Sequence, residues 1–540
     1  MHDVAVLLTA AAVASILSRL FGAPLIPLLL LAGLGVSIVA GPPTEFLESA
    51  LILGVSFLLF VVGLELDPRR IRGQRSAALK VGVAQFFALA AVGFLVARAL
   101  GLSGVEAGYA ALALPASSTL IGVRLLHRRK QMFEPFGRLT LGVLLFQDVL
   151  VLLAIPVVTE ATSGWLPVLV KLAGVVLLGL LSLSIRRFVA PLLLKVADEP
   201  EVVLLGALSV LFVCLGVAGL LELPIVVGAF LAGVALSSFP VNGIVRSEVA
   251  PLGDFFVAIF FTALGALVRL PTSGELWQAL WLTLTVLVLT PPLVILVAER
   301  SGFTSKPAAE AGLLLSQTSE ISLVVVLAGM IEGQIGQSLF VVVSVVTLTT
   351  MLLTPLIATD EMARRLARLR PRRRWEGGDA PSNHVLLLGA GSTGMPLLED
   401  LIVAGCTVAV IDDDPGVIHR LEASGVRAVR GEASDPQVLR EGGADRARAV
   451  SSTIRRPRDN AALLEMARGV PVLVRVLEQE DAAWVRERGG EPIVYSEATA
   501  DGLVEWFLEQ REELERSLRA RSPAPDGARR AAPGGEAGGS

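Results

Sequence analysis

Asp148 is the only charged side chain in a twenty-residue apolar run, 139–158 (LTLGVLLFQDVLVLLAIPVV), and Gln147 precedes it. A carboxylate that deep in a hydrocarbon-spanning helix costs about 2.5 to 3.5 kcal/mol, so it is retained where it meets water, a cation or a partner. One carboxylate can hold either a proton or a monovalent cation, and competition between the two would couple their fluxes. The rival reading is an acid that fixes helix packing by pairing with a buried base. It lacks its partner, because no Lys or Arg interrupts the core of the neighbouring apolar segments. Two other apolar stretches carry polar clusters. In GYAALALPASSTLIGVRLL (108–126), Pro115 cannot donate a backbone hydrogen bond, and Ser117, Ser118 and Thr119 can compete for the freed carbonyls. In AGLLLSQTSEISLVVVLAG (311–329), Ser316, Gln317, Thr318, Ser319 and Glu320 form a polar plug. Both stretches are expected to break as helices, and non-helical backbone at membrane depth is tolerated where it lines a cavity or is buried in protein. Small polar residues also serve as packing glue between helices, which explains the scattered Ser and Gly residues but explains Glu320 poorly.

The elements that must position these groups are apolar helices. The 540 residues have a mean hydropathy of +0.69 and only 18% charged residues, with the charge concentrated beyond residue 360. Thirteen apolar segments are long enough to approach about 30 Å of hydrocarbon. They run 3–21, 25–41, 46–65, 77–100, 104–126, 137–158, 166–188, 201–221, 224–240, 250–269, 276–298, 308–331 and 336–358. The first reads as a membrane helix, since His2 and Asp3 replace the basic start of a signal peptide. Arg69, Arg70, Arg72, Arg75 and Lys80 crowd one connection, and Arg124, Arg128, Arg129, Lys130 and Arg138 another. Arg364, Arg365, Arg368, Arg370 and Arg372 to Arg374 crowd the exit, whereas the alternate connections hold little base besides Arg98 and Arg269. By the positive-inside rule the amino terminus lies outside the cell membrane and the soluble part is cytoplasmic. With segment seven as a linker, segments one to six repeat as eight to thirteen. The two broken segments then correspond, which is the sequence pointer to a transporter binding site.

From residue 382 the pattern becomes α/β. HVLLLG reads as a buried strand, and Gly389, Gly391 and Gly394 in GAGSTG open a helix. TVAVIDDD supplies a second strand ending at Asp412, 23 residues after Gly389, with Asp413 following. The glycines permit a tight turn and close backbone approach to a pyrophosphate, while the acid can take ribose hydroxyls; Ser392 and Thr393 complete the loop. VRAVRG, ARAVSST and PVLVRV continue the alternation, implying a mostly parallel sheet. A Rossmann scaffold without nucleotide is the competing reading. No hydride-acceptor site, catalytic base, metal cluster or nucleic-acid patch is evident, so sensing is preferred to catalysis. The two cysteines, Cys214 and Cys406, fit a reducing compartment for the soluble part. The expected domains are 1–358 in the membrane, a basic linker 359–381 and a Rossmann-like domain 382–510. A helical extension and disordered tail, 511–540, complete the chain.

The membrane part resembles the Kef-type potassium/proton antiporters of the second monovalent cation:proton antiporter family. The likeness rests on FVVGLELDPRRI (60–71), PASST (115–119), GVLLFQD (142–148), GAFLAGVALSS (228–238), FFTALGALV (260–268) and LLLSQTSEISLVV (313–325), in family order. The resemblance implies two broken helices that cross beside the transport acid, and a core that moves against a dimerising scaffold. It assigns the transport acid to Asp148 with Gln147 as its characteristic neighbour. Oxygens would come from Ser117, Ser118 and Thr119, and Gln317 and Glu320 would shape the crossing. The soluble part resembles the regulator-of-potassium-conductance (TrkA-N) domain, which implies NAD(H) or AMP as a regulatory ligand and suits a homodimer. The chain departs from the pattern at SQTSE, where SQGGE is usual, at IVRSEVAP (244–251), where glutathione-gated relatives have an acidic regulatory loop and Arg246 reverses one charge, and at Ser392, where those relatives carry Arg. The last departure argues against glutathione gating. The expectation is an electroneutral potassium or sodium/proton antiporter working by alternating access, regulated by an adenine nucleotide. The alternative is a ligand-gated potassium channel or uniporter, which calls for a carbonyl filter such as TVGYG that the sequence lacks. A membrane-bound NAD-linked oxidoreductase ranks last, with four His and two scattered Cys to build a redox relay.

Overall fold

The computed structural model describes residues 2–22, 24–40, 46–65, 75–129, 131–132, 134–160, 164–196, 199–238, 241–368, 380–391, 393–454, 456–477, 479–496, 500 and 504. Two compact units divide the chain after Trp375. The basic residues of 66–74, residues 369–379 of the linker, Ser392, and the expected C-terminal helix and tail fall largely or wholly outside the described residues.

In the first unit the thirteen apolar segments coincide with helices. The first half contains α1 (His2–Phe21), α2 (Leu25–Ala40), α3 (Phe46–Leu64), α4 (Arg75–Ala99), the broken pair α5 (Gly104–Ala113) and α6 (Thr119–Arg128), and α7 (Pro135–Thr159). A connector follows, α8 (Trp165–Phe188) with its short continuation α9 (Ala190–Lys195). The second half contains α10 (Pro200–Leu220), α11 (Ile225–Leu236), α12 (Val241–Leu267), α13 (Ser273–Arg300), the broken pair α14 (Ser305–Leu314) and α15 (Glu320–Ile331), and α16 (Gln337–Ile357). Seven helices among the described residues are long and apolar enough to cross a membrane alone. Segment nine falls short of the span expected over 224–240, because α11 has 12 residues. At about 1.5 Å per residue that is roughly 18 Å, well under a hydrocarbon core. Ser237 caps it, folding its hydroxyl back onto the Val234 carbonyl at 2.9 Å.

The packing repeats between the halves. α2 lies on α12, and their counterparts α11 and α3 lie on each other; α4 packs on its own counterpart α13. The two equivalent crossings use the same device. A Cβ on Gly33 would meet the backbone of Thr262, Gly265 and Ala266, and one on Gly63 would meet the backbone of Phe230 and Gly233. Small residues let helix backbones approach where lipid offers no hydrophobic drive for association. The first three helices of each half thus form one bundle, and the last elements of each half form another around α4, α7, α13 and α14. Inside the segment expected as a linker, α17 (Asp360–Arg368) is a helix with Ala363 buried and Met362 and Leu366 packed on the cluster that includes α14. Lys306 on α14 meets Asp360 at 3.2 Å.

The second unit is a parallel sheet of β1 (Val385–Leu388), β2 (Val408–Asp412), β3 (Arg427–Arg430), β4 (Ala449–Ser452), β5 (Val472–Val476) and β6 (Glu491–Val494), in the order β3-β2-β1-β4-β5-β6. Alternation along the central strands feeds two layers: Leu386, Leu388, Ala409 and Ile411 enter one apolar cluster, Leu387 and Val410 the other. The strand order reverses between β1 and β4, where doubly wound sheets bind ligands at the carboxyl ends of their strands. β6 went unread in the sequence because EPIV is four residues long, starts with Glu-Pro, and buries only alternate positions.

Candidate functional site

Both expected breaks are present, and they hold each other. Pro115 interrupts the first segment, so α5 stops at Ala113 and α6 restarts at Thr119 with Ser118 as N-cap. In the second segment α14 stops at Leu314, and α15 restarts at Glu320 under the Ser319 cap. The Ser117 hydroxyl donates to the Leu315 carbonyl at 2.9 Å, and the Ser322 hydroxyl to the Ala113 carbonyl at 2.6 Å. Ser118 Oγ donates to Glu320 Oε2 at 2.9 Å, and Gln317 Nε2 reaches the Ser118 carbonyl at 3.4 Å. Carbonyls orphaned by the broken helices are thus taken up across the crossing.

Asp148 on α7 stands beside this crossing and is 1% exposed. Thr119 Oγ1, in the first turn of α6, donates to Asp148 Oδ2 at 3.0 Å. The α6 N-terminus brings roughly half a positive charge, which favours an anion there. Asp148 Oδ1 is buried and has no hydrogen-bond partner, and Gln317 Oε1 is in the same condition. A buried acceptor left unmade costs on the order of 1–3 kcal/mol, more when charged, so these oxygens suit a proton or a desolvated cation. Gln147 Oε1 accepts from the Ser117 N–H at 3.2 Å, and its Nε2 donates to Gln85 Oε1. The structure therefore brings together Ser117, Ser118, Thr119, Gln147, Asp148, Gln317 and Glu320.

Several participants were missed in the sequence. Gln85 is 1% exposed on α4, and a lone amide in an apolar segment could have been flagged by the criterion applied to Asp148. Thr350 on α16 accepts from the Thr318 N–H at 3.1 Å, anchoring the second break as Gln147 anchors the first; single threonines in apolar helices give no such signal. Glu65, at the end of α3, pairs with Arg246 at 2.6 Å and lies within electrostatic range of both Asp148 and Glu320. Arg246, read only as a reversed charge in a loop, is the base that holds this acid.

In the soluble unit Gly389 has φ +83°, a conformation that favours glycine, and a Cβ on Gly394 would strike the Gly389 carbonyl. Gly391 is exposed, with open space around it. Thr453 Oγ1 donates to the Gly389 carbonyl at 2.8 Å, and Arg475 Nη1 to Thr393 Oγ1 at 3.1 Å. Asp412, expected to take ribose hydroxyls, is committed to the backbone: Oδ2 accepts from Ala390 N at 2.6 Å and Oδ1 from Asp414 N at 2.8 Å. Burial pushes its carboxyl above the usual range, and those two N–H groups oppose the shift. A ribose would have to share these oxygens, or turn to Asp413 beside it.

Residues 6–359 match the family described as "Sodium/hydrogen exchanger, transmembrane". The chain belongs to that family. Residues 385–496 match the TrkA-N domain, so the exchanger carries a soluble Rossmann-like domain after its membrane part. It is similar to the glutathione-regulated potassium-efflux system protein KefC of Shigella flexneri, at 28% identity over 433 residues, covering 77% of this chain and 68% of that protein. The KefC of Escherichia coli K12 is 29% identical over 436 residues, with 77% and 68% covered. Among solved structures, the sodium proton antiporter MjNhaP1 of Methanocaldococcus jannaschii aligns with 18% identity and a TM-score of 0.49, over 68% of this chain and 98% of that one. The exchanger is a cation/proton antiporter, a transporter and not an enzyme.

Proposed function

We propose that the exchanger trades potassium, or sodium, for protons one for one at Asp148, by alternating access and without net charge movement. The observation that carries this reading is the buried, unpartnered Asp148 Oδ1 beside a hydroxyl-bound Oδ2. A single acid with one free oxygen takes one proton or one cation, and exchange of one for the other moves no net charge. The oxygens of Ser117, Ser118, Thr119 and Gln317 complete the coordination, and Glu320, at the first turn of α15, is held at the crossing by Ser118. The names of the KefC relatives favour potassium. Thirteen crossings with the amino terminus outside, a cytoplasmic TrkA-N domain and a homodimer in the cell membrane complete the reading. NAD(H) or AMP, seated over Gly389, Gly391 and Gly394 near Asp413, regulates exchange.

In proteoliposomes reporting luminal pH, Asp148→Asn is expected to abolish proton movement driven by either cation while the protein elutes as a folded peak. Exchange retained by that variant would remove Asp148 from the mechanism. Comparing K⁺ with Na⁺ in the wild type decides the cargo, and a membrane-potential dye that stays silent during exchange supports electroneutrality.

A further inference from the structure

We infer that Gln85 is a positioning residue of the exchange site, setting the polarity of Gln147 and through it the seat of Thr119 on Asp148. This rests on the reading of Asp148 as the exchange acid. Three bonds run in series. The Ser117 N–H donates to Gln147 Oε1, Gln147 Nε2 donates to Gln85 Oε1, and Gln85 Nε2 faces the Pro115 carbonyl at 3.5 Å. The two ends admit one orientation of both amides. A backbone N–H can only donate, so Gln147 must turn its oxygen to Ser117 and its NH₂ to Gln85. A carbonyl can only accept, so Gln85 must turn its NH₂ to Pro115 and its oxygen to Gln147. The polarity is therefore fixed from both ends, and reversing either amide sets donor against donor or acceptor against acceptor.

Pro115 and Ser117 flank the break that precedes α6, and their polar groups are the ones a continuous helix would have paired. Gln85 and Gln147, both at most 1% exposed, bridge that gap from α4 and α7. Two residues further on, Thr119 Oγ1 holds Asp148 Oδ2. The second break needs no such relay, because Thr350 accepts directly from the Thr318 N–H. Without Gln85, the Gln147 carboxamide has no acceptor for its NH₂, and the Ser117 N–H alone holds its sense. It releases the Ser117 N–H or turns its NH₂ toward the nearest free acceptor, and the Pro115–Ser118 segment that seats Thr119 loosens. The consequence is weaker cation binding, with the maximal rate of the moving core preserved.

The variants are Gln85→Leu, similar in size and without polar atoms, and Gln85→Glu, each purified at full length and compared with Asp148→Asn in pH-reporting proteoliposomes. Gln85→Leu is expected to raise the half-saturating cation concentration about tenfold, the equivalent of one buried hydrogen bond, with the maximal rate changed less than about threefold. Gln85→Glu separates positioning from packing. Its protonated acid donates to Pro115 and accepts from Gln147, as the amide does; its carboxylate cannot face the Pro115 carbonyl. Half-saturation near wild type at acid pH, rising at alkaline pH beyond the wild-type profile, is the expected signature, and it stands even if Gln85→Leu does not fold. The inference is overturned by wild-type half-saturation in Gln85→Glu both below and above the pH at which the introduced carboxyl ionises, or by a Gln85→Leu that loses only maximal rate. Asp148→Asn separates the two failures: if it exchanges normally, the exchange-site reading falls, and if it is inactive while both Gln85 variants behave as wild type, only the role of Gln85 falls.

Discussion

Thr119→Val removes one hydroxyl from the exchange site and leaves its scaffold standing, because the cap of α6 is Ser118 and not Thr119. The hydroxyl donates to Asp148 Oδ2 at 3.0 Å. Such a bond is worth about 1.5–3 kcal/mol to an ionised acceptor and about 0.5–1.5 kcal/mol to a neutral one, so its loss penalises the carboxylate over the acid by about 1–1.5 kcal/mol. At about 1.4 kcal/mol per pH unit, the proton competes better by roughly one unit. The sign follows: removing a donor that favours the ionised form moves half-maximal exchange, at fixed cation concentration, to a pH about one unit higher. On the acid side of that point the half-saturating cation concentration rises up to about tenfold, and saturating cation restores the rate. Exchange followed by a luminal pH dye in proteoliposomes, at six or so pH values and a series of K⁺ concentrations, measures both quantities. An unmoved profile with a normal rate would refute the reasoning, since it would mean that Thr119 does not touch the titrating group; a dead protein with normal folding would mean that the hydroxyl is needed for the movement itself.

Gly233→Val places a side chain against the Phe60 carbonyl and the Gly63 Cα, and should destabilise the scaffold crossing by about 1–3 kcal/mol, read as a lower melting temperature in detergent. The equivalent Gly33→Val should behave alike if the two crossings are symmetric in strength as well as in form. Gly394→Ala drives a methyl into the Gly389 carbonyl, and calorimetry with AMP and with NAD(H) should show weakened binding while exchange without nucleotide persists; unchanged affinity would argue that the loop does not seat the ligand. His384 predicts a pH effect in the soluble unit. Burial holds its imidazole below the usual range, with Nε2 on the Gly442 carbonyl at 2.9 Å and Nδ1 buried without a partner. The folded form prefers the neutral ring, so this contribution to stability is present above the ordinary histidine value, near pH 6.5, and is lost as pH falls through the lowered one. Protection of β1 peptides against hydrogen exchange, corrected for the slower intrinsic rate at low pH, should fall on acidification, and His384→Gln, which keeps a donor for Gly442, should flatten that response.

The chemistry was legible where an apolar background makes a polar residue conspicuous. Asp148 and the PASST and SQTSE clusters announced themselves in this way, and Pro115 announced the first break. The same background should have exposed Gln85. Glu65 was harder to see, because a charge at a helix end beside a basic loop reads as ordinary surface until Arg246, 181 residues later in the sequence, closes on it. Asp412 ends β2 beside the glycine loop, and the N–H of Ala390 becomes its partner only when β1 and β2 pair, while the N–H of Asp414 two residues on is within local reach.

By itself the sequence determined which segments avoid water, where two of them break, and where the α/β unit begins, because hydropathy, proline and glycine act within a few residues of themselves. Only the tertiary structure decided that the two breaks bond to each other, that Asp148 keeps one oxygen satisfied and one free, and that two glutamines hold a fixed polarity across the gap. Those outcomes depend on which donor meets which acceptor across separations of 29 to 209 residues. Pairing of that kind is set by the packing of whole helices and leaves no local trace in the chain.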